Sequence, residues 1–180
     1  MEACSRGQED VVNLLIKKGC DIAKTDFKGT SPLHLVCRIG NKQLCNLLLS
    51  KINDVNTKDN DGDTPLMEAC NKGFLPIVQM LVAKHAEINN QNIRNESPLI
   101  LSCKQGHVDI SEILLKERAE KYHEDVNGNT PLNLACQFGR FEICELLISY
   151  GVDVEYRSGN KLTPLMEAAN KGREKIVNYS

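Results

Sequence analysis

The sequence is poor in side chains that stack on nucleic-acid bases, because Trp is absent and aromatic residues make up only 4% of the 180 residues. The formal net charge is -2, so the chain lacks the strongly basic character of proteins that bind DNA, RNA or anionic lipid. No apolar run approaches the ~18 residues of a membrane-spanning helix, and no secretory signal opens the chain. Nucleic acid is therefore a poor candidate partner, and no membrane partner is expected.

Recognisable catalytic motifs are missing as well. The chain contains no Gly-x-Ser-x-Gly motif, no phosphate-binding Walker loop and no His-Glu-x-x-His motif. His85, His107 and His123 have no Cys or carboxylate at a metal-ligand spacing, so we interpret them as surface residues. We expect no enzyme activity, no catalytic residues, no cofactor and no metal site.

Eight cysteines are present, and five of them recur every 33 residues, at Cys4, Cys37, Cys70, Cys103 and Cys136. Equivalent positions on packed helices lie about 8–10 Å apart, too far for a disulfide or for thiolates sharing one zinc ion. We interpret these five as small buried apolar residues in a reducing compartment, which predicts a cytoplasmic location with the nucleus as an alternative.

Two further cysteines, Cys45 and Cys144, lie eight residues after Cys37 and Cys136. Each of these pairs could lie close together inside one structural unit. An oxidised or metal-bound pair is the less favoured alternative there.

The 33-residue period extends through the chain without an insertion or a deletion. It repeats a Ser/Thr-Pro-Leu motif that begins at Ser31, Thr64, Ser97, Thr130 and Thr163. It also repeats a glycine at positions 7, 40, 73, 106, 139 and 172. The hydroxyl and the proline predict a helix start, and the glycine predicts the end of that helix.

A second helix follows each glycine, with apolar residues spaced to line one face. In the three best examples this core stripe is Leu44, Leu47, Leu48 and Leu49; Ile77, Met80, Leu81 and Val82; and Ile143, Leu146, Leu147 and Ile148. A segment rich in Asp, Asn and Gly then predicts a tight turn. Such a unit is too small to bury its apolar face alone, so neighbouring units must stack.

These features together resemble the ankyrin repeat family. The matching segments are the run from Asp59 to Leu66, the Ser31-Pro32-Leu33-His34 stretch, the interhelix glycines and Gly151-Val152-Asp153-Val154, and the likeness covers essentially the whole chain. The resemblance implies an all-α ankyrin-repeat α-solenoid of stacked helix-turn-helix units with projecting β-hairpin loops. It also implies that His34 hydrogen-bonds between the hairpins of adjacent units.

We predict a single array over residues 1–180. Its parts are a partial repeat (1–25), four complete repeats (26–58, 59–91, 92–124 and 125–157) and a truncated repeat (158–180). An opening helix pair without its hairpin is a usual start in this family, which makes Met1 compatible with a native start. Tyr179-Ser180 replaces the expected leucine pair, which indicates a fragment or a truncated product.

Five turn positions depart from the family pattern. Asn95 and Lys161 replace the usual hairpin glycine, and Ile52, His85 and Arg118 replace the usual glycine after the second helix. Asn tolerates positive φ, whereas the others predict a changed turn geometry or a strain of about 1 kcal/mol each.

Binding residues are expected where positions vary between repeats on a constant scaffold. The resemblance implies that these are the hairpin tips and the exposed ends of the first helices, which together line the concave side. Apolar residues at such positions are Phe27, Ile39, Ile93, Val126, Phe138 and Leu162. They match the anchors that interfaces need, although single exposed apolar residues are also common.

A basic row at the helix ends is the second feature, formed by Arg6, Arg38, Lys72, Lys104 and Lys171. It faces an acidic finger at Asp59, Asp61 and Asp63, and it would steer an acidic partner or simply aid solubility. The candidate contact residues are Phe27, Lys28, Arg38, Ile39, Asp61, Asp63, Lys72, Ile93, Arg94, Lys104, Val126 and Phe138.

The leading functional hypothesis is a rigid, non-catalytic module, expected to be a monomer, that binds a protein or peptide through the concave groove and hairpin tips. The alternative is a regulatory ankyrin segment of a larger enzyme, ubiquitin-ligase adaptor or channel. A lower-ranked hypothesis, nucleotide or nucleic-acid binding by the basic row, predicts affinity that falls steeply with salt.

Overall fold

Twelve helices make up the regular structure of the computed structural model, which describes residues 1–177. No β-strand occurs among these residues, so the all-α prediction is confirmed. The projecting loops were expected as β-hairpins and are instead tight turns, each closed by one or two backbone hydrogen bonds such as Asp26 N–H to Thr30 O at 3.1 Å. The turns are too short to form a strand ladder.

The chain divides into two compact units, unit 1 from Met1 to Glu87 and unit 2 from Ile88 onward. Unit 1 contains α1 (Glu2–Ser5), α2 (Glu9–Lys17), α3 (Pro32–Ile39), α4 (Lys42–Leu49), α5 (Pro65–Lys72) and α6 (Leu75–Ala83). Each first helix of unit 1 packs against its own second helix, and the first helices pack in succession, with α3 in contact with α1, α4 and α5.

Unit 2 contains α7 (Pro98–Gln105), α8 (Val108–Lys116), α9 (Pro131–Gln137), α10 (Phe141–Ser149), α11 (Pro164–Asn170) and α12 (Glu174–Val177). The same packing recurs, with α9 in contact with α7, α10 and α11. The helix pairs fall inside the predicted repeats, whose boundaries stay a prediction. The expected interruption at Tyr179-Ser180 lies outside the described residues.

The predicted helix starts are confirmed. In each case a Ser or Thr side chain accepts a hydrogen bond from the backbone amide three residues later, and proline occupies the first helical position. The capping residues are Ser31, Thr64, Ser97, Thr130 and Thr163. These local bonds orient the five capped helices in the same way relative to the turn before each of them.

The glycine between the two helices adopts the left-handed conformation that the sequence predicts. At Gly40, Gly73 and Gly106 φ is 80°, 81° and 89°, and each backbone N–H bonds to a carbonyl of the preceding helix. A residue with a Cβ is strained at such φ values. The chain therefore reverses within one or two residues, which lets the second helix pack antiparallel to the first.

The core matches most of the predicted apolar positions. The five periodic cysteines are buried, as are Leu44, Leu48, Ile77 and Leu147 from the second-helix stripe. The prediction is wrong at Ile148, whose side chain is 45% exposed. Ile148 lines an open cavity of unit 2.

The turns that lack glycine adopt two kinds of backbone conformation. Asn95, His85, Arg118 and Lys161 take positive φ values of 56° to 65°. Ile52 avoids positive φ, and its backbone N–H bonds to Leu48 O at 3.0 Å. A β-branched residue is a true outlier at positive φ, so the chain rebuilds this turn around Ile52.

Within residues 1–177, every helix is too short or too polar to cross a bilayer.

Candidate protein-binding surface

Four of the projecting turns are held by the side chain of their first residue. Asp26 Oδ1 accepts hydrogen bonds from the backbone N–H groups of Lys28 and Thr30, both at 2.9 Å. The same pair of bonds recurs in three later turns, at Asp59, Asn92 and Asp125. Asp and Asn favour such turns because their short side chains reach the backbone two residues on. The tips are thus fixed locally, before any packing between repeats.

Successive turns also brace one another in unit 1. The Asn60 backbone N–H donates to Lys28 O at 2.9 Å, and its side-chain Nδ2 donates to Phe27 O at 3.1 Å. At Gly29, which has a φ of 74°, an added Cβ would lie 2.7 Å from Asn60 Oδ1. The close approach of the two turns therefore requires glycine there, and it holds the Phe27 backbone in place.

A second link between repeats passes through His34. Its Nε2 lies 2.9 Å from Asp63 O, and its Nδ1 lies 2.8 Å from Ser31 Oγ and 3.2 Å from Ser31 N. A carbonyl oxygen can only accept, so Nε2 carries the proton and Nδ1 accepts from Ser31. The predicted structural role of His34 is confirmed. In unit 2, Asn133 holds the equivalent position and donates to Leu162 O.

The unit 1 surface is defined by the seven candidate residues Phe27, Lys28, Arg38, Ile39, Asp61, Asp63 and Lys72. The Phe27 side chain is 87% exposed at the tip of its turn, with Lys28 Nζ 5.8 Å from the ring centroid. Ile39 is 39% exposed at the end of α3, and Asp61 and Lys72 are exposed. Asp63 is half-buried, and its backbone carbonyl accepts the His34 hydrogen bond.

Arg38 is the candidate whose environment differs most from a free surface cation. Its guanidinium donates from Nε to Glu68 Oε1 at 2.9 Å and from a second nitrogen to the same oxygen, and it lies 4.0 Å from Asp59 Oδ2. The hydrogen bond to Glu68 raises the pKa of Arg38. Asp59, Asp63 and Glu68 bring carboxylate oxygens within 4.8 Å of one another, and Arg38 forms ion pairs with two of them, Asp59 and Glu68. The predicted basic row and acidic finger therefore contact each other within unit 1.

The unit 2 surface is defined by Ile93, Arg94, Lys104, Val126 and Phe138. Ile93 and Val126 occupy equivalent tips of successive turns and are 65% and 63% exposed. The turns are joined by a hydrogen bond from Val126 N to Arg94 O at 3.0 Å. Phe138 is 38% exposed at the end of α9, and Lys104 Nζ lies 6.0 Å from its ring centroid.

A buried carboxylate organises the cations of the unit 2 surface. Glu96 is 4% exposed and accepts from Arg94 Nε at 2.8 Å, from Lys104 Nζ at 3.0 Å and from Asn92 Nδ2 at 3.2 Å. Burial alone would raise the pKa of Glu96, but these hydrogen bonds outweigh it and lower the pKa. Arg94 and Lys104 are therefore paired with Glu96 and are only in part available to a partner.

Three residues outside the candidate set matter for these surfaces. Glu68 and Glu96 hold the candidate cations. Glu96 lies on the turn of the repeat that carries Lys104, whereas Glu68 lies thirty residues after Arg38 and no sequence signal marked it. His123, predicted as a surface residue, is half-buried, and its Nε2 lies 2.8 Å from Asn95 O. Its role parallels that of His34, but it lies elsewhere in the repeat, so no repeat pattern marked it.

Comparison with protein families agrees with this geometry. A family model described as Ankyrin repeats (3 copies) matches residues 1–92, 77–158 and 99–179. A comparison with curated proteins gives no significant match.

Proposed function

Because the chain belongs to the ankyrin repeat family, whose repeats are generally protein–protein interaction modules, we propose that it is a non-catalytic module that binds a protein or peptide partner. Domains of this family are typically non-catalytic. Each compact unit contributes its own binding face, the unit 1 surface or the unit 2 surface. The intracellular, reducing location expected from the cysteine pattern belongs to the same proposal.

The observation that carries this proposal is the exposure of large apolar side chains on turns that are otherwise tightly held. Phe27, Ile93 and Val126 are 87%, 65% and 63% exposed, whereas the capping residues next to these turns are buried. A folded chain gains nothing in stability from an exposed Phe at a turn tip. Aromatic and aliphatic side chains at fixed positions are the anchors that interface hot spots use.

Rigidity supports the proposal further. The clamped turns lose little conformational freedom on binding, so more of the contact energy remains as affinity. The cations contribute less than their number suggests, because Arg38, Arg94 and Lys104 already pair with carboxylates. We therefore propose that the apolar side chains at the turn tips provide most of the affinity. The charged side chains then mainly orient the partner.

The test is a selection of peptide ligands from a random displayed library, followed by calorimetric Kd measurement with variants. The substitution Ile93→Ser combined with Val126→Ser should weaken ligands of the unit 2 surface by roughly tenfold or more, since loss of a hot-spot anchor costs about 1–2 kcal/mol. Phe27→Ser should do the same for ligands of the unit 1 surface.

Matched controls replace apolar residues of similar exposure on the second helices. Leu14→Ser in unit 1 (56% exposed) and Ile148→Ser in unit 2 (45% exposed) should leave Kd unchanged. All variants should unfold within about 0.5 kcal/mol of the parent protein, as expected for exposed positions. Ligands that respond to the second-helix controls and ignore the tips would show that the binding face lies elsewhere.

The nucleic-acid alternative makes a separate prediction. Binding through the basic row would weaken steeply as salt rises, because each phosphate contact releases a counterion. No retention on single- or double-stranded nucleic acid at low salt would eliminate it. The hypothesis of a regulatory segment in a larger protein is compatible with the same binding surfaces.

A further inference from the structure

Two repeat positions, eight residues apart, bring a side chain of a first helix against one of a second helix. In the predicted repeat 125–157 both are cysteines, and the Sγ atoms of Cys136 on α9 and Cys144 on α10 lie 3.6 Å apart. Cys37 and Cys45 form the equivalent pair on α3 and α4 and hydrogen-bond to each other. The chain thus carries two dithiol pairs built on the same scaffold.

The two dithiol pairs differ in access to solvent. Cys37 and Cys45 are both 0% exposed. Cys136 and Cys144 are 3% and 5% exposed, and both line an open cavity of about 650 Å³ in unit 2. The cavity wall is otherwise largely apolar and includes Leu132, Ile148, Val154 and Leu165. A small molecule can therefore reach one pair, whereas the protein seals the other.

We propose that Cys136 and Cys144 form an oxidative modification site, at which a low-molecular-weight disulfide converts the two thiols into a disulfide bond between α9 and α10. The sulfur atoms must close from 3.6 Å to about 2.05 Å. This distance is within the reach of side-chain rotation, because the two thiols already face each other across a helix pair. The modification joins the first and second helices of one repeat and leaves the turn tips unaltered.

The reaction proceeds by two thiol–disulfide exchanges. Cys144 Sγ, as thiolate, attacks one sulfur of the small disulfide and releases one small thiol. Cys136 Sγ then attacks the Cys144 sulfur of the mixed disulfide and releases the second small thiol. Two protein thiols and one small disulfide give one protein disulfide and two small thiols, and the protons from the protein end on the released thiols.

Exposure and protonation set the order of these steps. The hydrogen bond with Cys144, together with burial, raises the pKa of Cys136 far above its ordinary value. Cys136 is therefore the weaker nucleophile of the pair in the first exchange. Cys144 is slightly more exposed than Cys136, at 5% against 3%, and we assign it the first attack.

The test incubates the 180-residue chain with oxidised glutathione, blocks remaining thiols with N-ethylmaleimide and maps non-reduced peptides by mass spectrometry. The peptide that links Cys136 to Cys144 should form at least about tenfold faster than one linking Cys37 to Cys45, since exchange depends on access. Cys20 is exposed, and loss of its free thiol reports that the reagent is active.

Two variants separate the steps. Cys136→Ser should retain glutathione on Cys144, because the resolving thiol is gone, and Cys144→Ser should leave Cys136 unmodified. A fully modified Cys20 without the Cys136–Cys144 link would overturn the proposal. Equal rates for the two dithiol pairs would overturn it as well, because unfolding, and not the cavity, would then control the reaction.

Discussion

The turn between the two helices of a repeat has the same backbone in both compact units, but different side chains cover it. In unit 1, the Phe74 ring lies over Gly40, and a Cβ added to Gly40 would fall 2.4 Å from a ring carbon. In unit 2, Arg140 lies over Gly106, and the corresponding distance is 2.9 Å to Arg140 Cδ. Arg140 Nε also donates to Lys104 O at 3.2 Å, near the end of α7.

Phe74 and Arg140 affect the end of the preceding helix in different ways. The last carbonyl groups of a helix have no partner within the helix, and an arginine can supply one, whereas a phenylalanine can only exclude water. An aromatic ring is also rigid, whereas an arginine side chain can swing aside. Glycine should therefore be strictly required at position 40, under Phe74, and less strictly required at position 106, under Arg140.

The largest expected effect comes from Gly40→Ala, which should lower the free energy of unfolding by about 2–5 kcal/mol. Left-handed alanine costs about 1–2 kcal/mol, and the clash with Phe74 adds an overpacking cost of about 1–3 kcal/mol. Gly106→Ala should lose only about 1–3 kcal/mol, the left-handed backbone cost plus up to about 1 kcal/mol for the Arg140 hydrogen bond, because Arg140 can swing aside. Urea denaturation followed by circular dichroism measures both losses.

Gly172→Ala is the matched control, because Gly172 has a φ of 64° and no atom of residues 1–177 lies within 4 Å of the added Cβ. It isolates the backbone cost from the clash. Equal losses at Gly40, Gly106 and Gly172 would show that the covering side chains are irrelevant to the glycine requirement.

The charged contacts of unit 2 predict a dependence of stability on pH. Glu96→Gln should lower the free energy of unfolding by about 1–2 kcal/mol at neutral pH, a modest loss because Arg94 and Lys104 are 50% and 35% exposed. The pKa of Glu96 is lowered in the folded protein, so its contribution is present above the ordinary pKa of 4.5 and is lost as pH falls through the folded value. The gap between the parent protein and Glu96→Gln in urea titrations should close in acid. A gap that stays constant with pH would contradict this account.

Replacement of Arg140, which lies over Gly106 in unit 2, should change the free energy of unfolding less. Arg140→Ala should cost about 1 kcal/mol, the usual net value of one hydrogen bond. Arg140→Phe should recover about half of this loss or more, because it copies the cover that Phe74 provides in unit 1. If both variants lose the same amount in thermal unfolding, shielding of the turn contributes nothing and only the hydrogen bond matters.

The smallest effect concerns the turn after the second helix, which has the same strain in both units. His85 in unit 1 and Arg118 in unit 2 hold φ values of 61° and 63°. His85→Gly and Arg118→Gly should each raise the free energy of unfolding by about 0.5–1 kcal/mol, because glycine adopts positive φ without strain.

Ile52→Gly is the control for this comparison, because Ile52 has already avoided positive φ. It should stabilise nothing and should lose the packing of a half-buried side chain. A gain at position 52 equal to that at 85 and 118 would mean that strain is not what separates these turns.

Most of the fold was predictable because its signals are local and repeated. The hydroxyl–proline starts and the glycine ends act within four residues of themselves, and six copies of the glycine removed ambiguity. The buried periodic cysteines and the exposed tips Phe27, Ile93 and Val126 followed from the same register. The binding role of those tips stays a prediction.

The electrostatics of the candidate surfaces were harder to predict. Arg38 pairs with Glu68, thirty residues later, whereas Lys104 pairs with Glu96, eight residues earlier on the turn of its own repeat. Neither distance along the chain is a multiple of the repeat. Equivalent cations therefore find different partners, and no periodic pattern marks them.

Residue order alone settled where helices begin and end and which positions recur, because hydrogen bonds between near neighbours and backbone φ preferences control those features. Packing between successive repeats settled which side chain covers each glycine, which cations are already neutralised and which dithiol opens to a cavity. These features depend on contacts through space between residues far apart in the chain, where one changed side chain in the next repeat alters the outcome.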